Sequence, residues 1–337
     1  MSDVNVMAMV ESGQKSAANP DVQEYTVDLI EGIRRNAEFK KKGLADFSAN
    51  VGVRCSHGCK YCFGKCLPPS NKRCKELGIE PTEMSLAIVD PDSVARITRD
   101  AKRFKGRRGI IQFCATVDGW APESKKRDLG RKCLEGILAE PDWVVRILTK
   151  NAAVAEDFDV CERYRDRVLV GISLTGTVGK QDMIKTIEPY ASLISERMEA
   201  MREAHRRGLK TYGMLCPLLP GVSDSYADVL KLVEFTKEVG CEEVFCEAVN
   251  ARSDAFEATR AALEQAGYTA EASRIQQIAS DDAQWSQYAA DLGENVHKAM
   301  TQVYGDASKL RYLLYGEKVT AADRAQLQAL GDSVKWL

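Results

Sequence analysis

No stretch of the 337-residue chain approaches the roughly 20 uninterrupted apolar residues that a membrane-spanning helix needs. The opening residues, MSDVNVMAMVESGQKS, also lack the basic segment and the apolar core of a secretory signal peptide. We therefore expect a cytoplasmic protein without a membrane partner. Internal repeats and low-complexity tracts are missing as well, so a repeat architecture is not indicated.

An excess of basic charge is also absent. The 47 lysine and arginine residues are balanced by 49 aspartate and glutamate residues, which gives a net charge of -2. Without a global positive field, contact with nucleic acid would depend on a local patch. Residues 102–108 and 125–132 form two basic stretches that could meet phosphates, although a solvated helix face explains them equally well.

A disulfide framework is not indicated either, because a chain of this length can bury a full hydrophobic core. The 11 cysteines are scattered singly through apolar segments around one close group, which favours reduced thiols and a metal site. Buried free cysteine often packs as a small hydrophobic residue, so we expect packing roles for Cys114, Cys133, Cys161, Cys216, Cys241 and Cys246. Their spacing does not support a second cluster.

Strands alternate with amphipathic segments through the middle of the chain. The hydrophobic pattern predicts strands over residues 49–55, 109–115, 143–149, 167–174, 209–215 and 242–249. Helices between them, such as one over residues 192–207 that Gly208 closes, indicate an α/β fold with a parallel sheet. Right-handed crossovers can curl such a sheet into an incomplete (β/α)6-type TIM barrel, with catalysis at the carboxyl ends of the strands.

The two ends of the chain lack this alternation. Residues 1–20 predict a loose arm, and residues 22–45 predict a helix because Tyr25, Leu29 and Ile33 repeat at helical spacing. From residue 255 to 337 the sequence predicts helices, with aromatic packing candidates at Trp285, Tyr288, Tyr304, Tyr312, Tyr315 and Trp336. We therefore expect a core over residues 48–254, an N-terminal arm and helix over 1–47, and a helical C-terminal extension over 255–337.

The strongest signal is the segment RCSHGCKYCFGKC, which follows the first predicted strand. Cys55, Cys59 and Cys62 have the spacing C-x3-C-x2-C, and thiolates are the usual ligands of iron-sulfur clusters. A short loop with three cysteines can hold three corners of a [4Fe-4S] cube and leave the fourth iron open. The open iron could then bind the amino and carboxylate groups of S-adenosylmethionine.

A structural zinc site is the main alternative interpretation of this segment. Zinc would need a fourth ligand, which either Cys66 or His57 could supply. Zinc sites usually pair two ligand couples from separated segments, however, whereas these three cysteines share one loop at the mouth of an α/β repeat. The spacing therefore favours the cluster over zinc.

The motif resembles that of the radical S-adenosylmethionine superfamily, whose pattern is C-x3-C-x-aromatic-C. Tyr61 fills the aromatic place, which in the family lies near the adenine of the cosubstrate. The resemblance implies that a reduced cluster cleaves S-adenosylmethionine to methionine and a 5′-deoxyadenosyl radical, which abstracts hydrogen from the substrate. It also implies a reductant such as flavodoxin or ferredoxin.

A narrower resemblance covers roughly residues 48–252. The segments CSHGCKYC, ATVDGWAPE, VRILTK, GISLTGT, IEPYASLISERMEAMREAHRRGLK and MLCPLLPGVSD look like the spore photoproduct lyase and DNA-repair-photolyase-like group. This resemblance implies that Lys150 and Ser173 surround the carboxylate and ribose of the cosubstrate, and that the segment with Asp118 and Glu123 lines the cavity. Ser173 and Thr175 are polar donors and acceptors on one predicted strand. Surface, strand and loop-capping roles are the alternatives for these residues.

The sequence departs from this group at the cysteine that donates hydrogen. The group's cysteine stands three residues before the aspartate, whereas Cys114 stands four before Asp118 and Ala115 has the matching place. A one-residue slip on a strand turns the side chain to the other face, which argues against Cys114 as the donor. Cys216 is the other candidate, because it ends a predicted strand where the cavity should lie. The C-terminal region also departs from the lyase.

The resemblance implies a substrate in DNA or a modified nucleotide, namely a thymine-type base or its appended group. Repair, lyase or isomerase chemistry would follow once the base is taken out of the stack. Radical modification of a small molecule or peptide is the second hypothesis, which suits the acidic isoelectric point. A non-catalytic iron-sulfur redox or sensor protein is the third, although it would not need the cosubstrate set of Tyr61, Lys150 and Ser173.

Overall fold

The computed structural model describes residues 14–16, 19–28, 31–80, 86–114, 116–250 and 255–337. The strands in these ranges are β1 Gln14–Ser16, β2 Asn19–Thr26, β3 Ile33–Arg35, β4 Phe47–Ala49, β5 Gly52–Arg54, β6 Leu86–Val89, β7 Ile110–Phe113, β8 Val144–Thr149, β9 Val168–Ile172, β10 Lys210–Thr211, β11 Gly213–Leu218, β12 Val244–Ala248, β13 Leu310–Leu314 and β14 Val334–Trp336.

The helices in the same ranges are α1 Ala37–Lys41, α2 Pro68–Glu76, α3 Ser93–Arg103, α4 Pro122–Lys125, α5 Leu129–Leu138, α6 Phe158–Arg163, α7 Gln181–Ile187, α8 Ile194–Arg206, α9 Tyr226–Glu238, α10 Ala255–Gln265, α11 Thr269–Ala279, α12 Asp282–Tyr304 and α13 Ala321–Gln328. Among these described helices, none combines the length and the apolar composition that a membrane crossing requires. The predicted helix over residues 192–207 is confirmed as α8, and Gly208 ends it with a φ of +70°.

Parallel strands form the centre of the fold, which is of the α/β class. β4, β7, β8, β9 and β10 pair in parallel within one sheet, and β3 adds an antiparallel edge. β11, β12, β13 and β14 form a second parallel sheet. A parallel bridge between Ser173 and Met214 joins the two sheets. The carboxyl ends of these strands therefore lie on one side.

The strands are buried because helices cover the sheets. Every residue of β9 is buried, as expected for a parallel strand that is covered on both faces. Helix α5 turns a stripe that includes Cys133, Leu134 and Ile137 inward, and all three side chains are fully buried. Hydrophobic burial of this kind fixes the strand ends, from which the loops of the site project.

The predicted N-terminal helix over residues 22–45 is wrong. β2 pairs with β6, β3 pairs with β4, and among the described residues of this segment only those of α1 are helical. Val22 and Glu24 are buried whereas Gln23 between them is exposed, so the segment follows the two-residue period of a strand. Leu29, on which the helical spacing depended, and most of the predicted arm lie outside the described residues.

The predicted strand over residues 49–55 is in fact two strands. β4 belongs to the central sheet, whereas β5 pairs antiparallel with β6 in a separate sheet of the order β1-β2-β6-β5. The chain therefore changes sheets just before the first cysteine of the motif. The other five predicted strands are observed, although Tyr212 divides one of them into β10 and β11.

The C-terminal region is not wholly helical, which corrects the prediction for residues 255–337. β13 and β14 extend the second parallel sheet beyond β12. Tyr312, a predicted packing residue, lies on β13 and is fully buried. Both strands are short, at 5 and 3 residues, so neither shows enough alternation to reveal a strand in the sequence.

Candidate functional site

The three motif cysteines lie on one loop that borders a cavity. Cys55, Cys59 and Cys62 all line this central cavity, which has a volume of about 290 Å³. The backbone N–H of Cys62 donates to the carbonyl of Cys59 at 3.0 Å, so the loop is tightly turned. Gly58 has a φ of +66°, and a Cβ there would approach the side chains of Pro189 and Tyr190. Glycine therefore permits both the turn and the close packing.

Two buried carboxylates hold the cysteine loop in place. Glu123, at the start of α4, accepts hydrogen bonds from the backbone N–H of Ser56 at 2.9 Å and from its hydroxyl at 2.5 Å. Asp118 accepts from the hydroxyl of Thr149 and the backbone N–H of Lys150, both at 2.8 Å. Asp118 lines the central cavity and Glu123 lies behind it. Both residues therefore position their neighbours. The sequence alone could not distinguish this role from a catalytic one.

His57 is buried beside Asp118. Its Nδ1 lies 3.5 Å from Oδ2 of Asp118, and its Nε2 has no hydrogen-bond partner among the described residues. Burial lowers the pKa of His57 to about 4, because the charged imidazolium would lose its hydration. The imidazole is therefore neutral at physiological pH, and His57 lines the same cavity as the cysteines.

The donor set fits an iron-sulfur cluster better than a zinc ion. Across the described side chains, no three His, Cys, Asp or Glu residues converge closely enough to hold a single metal ion, which disfavours zinc with His57. The side chain of Cys66 lies outside the described residues. Three thiols on one short loop suit the separated corners of a four-iron cube. Burial raises the pKa of Cys55 and Cys59, so binding of iron must displace thiol protons.

Lys150 and Ser173 come together on the cavity wall beside Tyr61. The Lys150 ammonium donates to the Ser173 hydroxyl at 2.9 Å and lies 5.6 Å from the centre of the Tyr61 ring. The Ser173 hydroxyl in turn donates to the carbonyl of Cys216 at 2.9 Å. Burial lowers the pKa of Lys150, so a carboxylate bound next to it would regain charge stabilisation. The structure thus gathers the residues expected to bind the cosubstrate.

A buried ion pair supports these residues from behind. Arg197 on α8 binds the Glu188 carboxylate, and each side chain is 1% exposed. Glu188 also accepts hydrogen bonds from the hydroxyls of Tyr61 and Thr175. Thr175 therefore contacts this ion pair and does not line the cavity. Neither charged residue was predicted from the sequence. Both lie in the segment IEPYASLISERMEAMREAHRRGLK, which carries the narrower resemblance.

The two candidate thiols have different environments. Cys114 is 4% exposed, has a left-handed φ of 63° and packs in the main core. Cys216 is half-buried, and its Sγ is 3.7 Å from the carbonyl of Phe245. Both residues line the central cavity. The other four single cysteines are fully buried in the core, namely Cys133, Cys161, Cys241 and Cys246.

The second basic stretch, residues 125–132, is largely occupied by intramolecular contacts, and Arg108 of the first stretch is bonded as well. Lys126 and Arg127 both bind the carboxylate of Glu24, with Lys126 at 2.6 Å. Arg131 forms a bidentate pair with Asp159 at 2.7 Å. Arg108, in the first stretch, donates to the carbonyls of Pro141 and Ala101. These cations already have partners in the protein, so they are less available to bind phosphates than the sequence suggested.

A second cavity of about 500 Å³ lies next to the central one. Arg34, Asn50 and Arg73 contribute to its lining, and it shares Gly64 and Thr116 with the central cavity. None of the three motif cysteines borders it. The smaller cavity is therefore the candidate site, because the chemically distinctive side chains face it.

Replacing Glu123 by glutamine is expected to weaken retention of the cluster. The variant keeps the side-chain shape but loses charge-assisted hydrogen bonds to Ser56, which are worth about 1.5–3 kcal/mol. Iron should then leave the reconstituted protein at least about tenfold faster when a chelator is added. Glu135→Gln is the control, because Glu135 is an exposed helix carboxylate paired with Arg163. Equal release rates for the two variants would contradict the positioning role.

A sequence model described as the Radical SAM superfamily matches residues 49–233. An uncharacterized protein of Acidianus two-tailed virus is 23% identical over 218 residues, which covers 63% of this chain and 70% of the viral protein. An uncharacterized protein of Methanocaldococcus jannaschii is 24% identical over 182 residues, covering 53% of this chain and 63% of that protein. Both matches leave a substantial part of this chain uncovered.

Two solved structures of spore photoproduct lyase have a similar fold. A point mutant of that enzyme superposes with a TM-score of 0.54 at 16% identity, covering 83% of this chain and 78% of the mutant. The enzyme complexed with dinucleoside spore photoproduct gives a TM-score of 0.51 at 16% identity, covering 77% of this chain and 74% of the enzyme. At this level of identity the likeness shows a shared fold alone.

Proposed function

Because the chain belongs to the radical SAM superfamily, we propose that its central cavity takes a hydrogen atom from a modified thymine-type base or a group attached to it. Members of the superfamily use a [4Fe-4S] cluster with S-adenosylmethionine, and the reduced cluster supplies the electron that splits the cosubstrate into methionine and a 5′-deoxyadenosyl radical. One observation carries the proposal. The cavity that Cys55, Cys59 and Cys62 line is also lined by Tyr61 and Lys150.

The side chains around the cavity have distinct duties in this proposal. Cys55, Cys59 and Cys62 hold the cluster. Lys150 provides a point charge for the carboxylate of the cosubstrate, and Ser173 provides a neutral hydrogen-bonding hydroxyl. Tyr61 offers an aromatic edge to the adenine. Asp118, Glu123 and Thr175 act indirectly, since their hydrogen bonds fix the residues that touch the ligands.

We also assign the hydrogen-donor role to Cys216 in preference to Cys114. The Cys216 thiol is half-buried in the cavity wall, whereas Cys114 packs in the core. Burial raises the pKa of Cys216, which keeps the group in the thiol form that carries a transferable hydrogen. Ala115, which matches the donor position of the related lyases, lies outside the described residues.

Several observations support a base in DNA or a modified nucleotide as the substrate. The motifs of this chain resemble those of the spore photoproduct lyase group. The lyase structure with a similar fold is a complex with dinucleoside spore photoproduct. The order of the parallel strands also agrees with an incomplete barrel, whose mouth could accept an extruded base. A small molecule or peptide is the second candidate, and the ion pairs that neutralise the basic stretch over residues 125–132 favour it.

An anaerobic assay tests this proposal directly. The reconstituted, dithionite-reduced protein is incubated with S-adenosylmethionine, and 5′-deoxyadenosine is measured by mass spectrometry with and without thymine-modified DNA. We expect formation that rises with the DNA, with deuterium moving from the labelled base into the nucleoside. Formation indifferent to DNA would favour a small molecule or peptide. No formation despite an intact cluster would leave only the redox-protein interpretation.

The same assay separates the two thiols. Cys216→Ala should still form 5′-deoxyadenosine but should lose the repaired or rearranged product, because the substrate radical would have no hydrogen donor. Cys114→Ala is the matched control and should keep most of the turnover. A Cys114→Ala variant that forms 5′-deoxyadenosine without product would reverse the assignment.

A further inference from the structure

A lysine and a glutamate face each other across a part of the cavity wall that carries no cysteine ligand. Lys42 follows the last residue of α1, and Glu247 lies on β12. Their Nζ and Oε1 atoms are 3.8 Å apart, and their side chains are 11% and 23% exposed. The two charges are therefore near enough to balance each other but too far apart for a direct hydrogen bond.

The pair is poised to make further hydrogen bonds. An ammonium has three donors and a carboxylate accepts through two oxygens, and at 3.8 Å the two groups do not use them on each other. Burial lowers the pKa of Lys42, but the charge of Glu247 and a hydrogen bond with the Tyr315 side chain outweigh it and raise the pKa overall, so the lysine is a cation. The ammonium also lies 5.1 Å from the centre of the Tyr315 ring, which fixes its position.

The charges of this pair define what it can recognise. The opposite charges of Lys42 and Glu247 balance, so the pair offers no net attraction to a ligand with a net charge of either sign. A neutral ligand that presents a carbonyl acceptor next to an N–H donor would satisfy both residues at once. A trans peptide bond points its C=O and N–H in opposite directions, so an ordinary peptide cannot offer both groups to one wall. A lactam or imide within a ring can.

We propose that Lys42 and Glu247 recognise the lactam or imide edge of a ring, with Lys42 donating to the carbonyl and Glu247 accepting from the N–H. This inference rests on the proposed function and deepens it, because a thymine-type base presents such an edge. It also disfavours a linear peptide as the substrate. Lys42 and Glu247 both lie outside the cysteine loop.

The position of Cys216 connects this pair with the chemistry. Cys216 lines the same cavity as Lys42, Glu247 and Lys150. Lys150 belongs to the cosubstrate wall, where it donates to Ser173. A ring held by Lys42 and Glu247 would therefore share the cavity with the Cys216 thiol and with the residues proposed to bind the cosubstrate.

A binding measurement with a chemically altered probe tests the inference. The reconstituted protein with S-adenosylmethionine is titrated anaerobically with thymidylyl-thymidine and with its N3-methylated form, which lacks the imide N–H. The unaltered protein should bind the unmethylated probe at least about tenfold more tightly, because a site built for an N–H rejects a ligand without it. Lys42→Met should weaken binding of the unmethylated probe by about tenfold or more. Glu247→Leu should remove the preference between the probes.

Lys41→Met is the matched control, because the neighbouring Lys41 side chain is 59% exposed and pairs only loosely with Glu38 at 3.4 Å. The double variant Lys42→Met, Glu247→Leu leaves no unpaired charge, so it serves if a single variant fails to fold. Equal affinity of the unaltered protein for both probes, or no binding of either, would overturn the inference. Loss of S-adenosylmethionine cleavage would instead count against the proposed function. The difference in affinity between the two probes would still test the recognition by Lys42 and Glu247.

Discussion

Replacing Cys59 by alanine is expected to abolish the visible absorption of the reconstituted cluster and all cleavage of S-adenosylmethionine. Cys59 is one of three thiols on a single loop that line the central cavity, and a four-iron cube with one open iron needs all three. A cube held by two thiolates would be lost on desalting. The measurement is anaerobic absorption spectroscopy with iron and sulfide analysis, followed by the 5′-deoxyadenosine assay.

Cys161→Ala is the control for this prediction, because it removes one cysteine from the chain at a site far from the loop in sequence. Cys161 is fully buried in the core and does not line the central cavity. The control should keep the iron content and the absorption of the unaltered protein. A Cys59→Ala protein with a complete, redox-active cluster would remove the three-ligand assignment.

Replacing Arg197 by methionine is expected to cost about 3–5 kcal/mol of the free energy of unfolding, because it leaves a buried carboxylate without its counter-charge. Arg197 also donates to the carbonyl of Ser192 at 2.8 Å and to that of Ser173 at 3.1 Å. Burial already raises the pKa of Glu188, and the charge of Arg197 opposes that rise. Urea unfolding of the cluster-free protein, followed by circular dichroism, measures the effect.

Two further variants show whether the unpaired charge is the cause. The double variant Arg197→Met, Glu188→Gln should recover part of the lost stability, because the orphaned charge is removed. Arg206→Met is the surface control, since Arg206 is exposed and pairs with Glu199 and Glu203 on the same helix. If Arg197→Met unfolds at the same urea concentration as that control, the ion pair does not hold the cavity wall.

The sequence could predict that the three motif cysteines come together, because the information for this is local. The spacing of Cys55, Cys59 and Cys62 lies within one loop, so their convergence needs no knowledge of the fold. Lys150 and Ser173 came from a resemblance, and the structure places them in hydrogen-bond contact. Glu188 and Arg197 could not be recognised, because a buried ion pair looks like ordinary helix charge in the sequence.

The central strands could be predicted because they are covered on both faces and read as continuous apolar runs. β9 is the example, and its observed bounds differ from the prediction by one or two residues. The N-terminal and C-terminal strands could not be predicted in the same way. β2 was hidden by a coincidental helical spacing, and β14 has only 3 residues. Their strand character depends on the neighbours that they pair with, which the sequence does not reveal.

The C-terminal strands also determine where the chain can be divided. β13 pairs along the outer side of β12, with Val244 opposite Leu310 and Cys246 opposite Tyr312. If the segment after residue 254 were removed, β12 would become an open edge of apolar residues with unpaired N–H and C=O groups. Such an edge invites pairing with other chains and aggregation. The chain should therefore not be truncated at the boundary expected at residue 254. Glu247 lies on β12, which would lose its pairing partner β13.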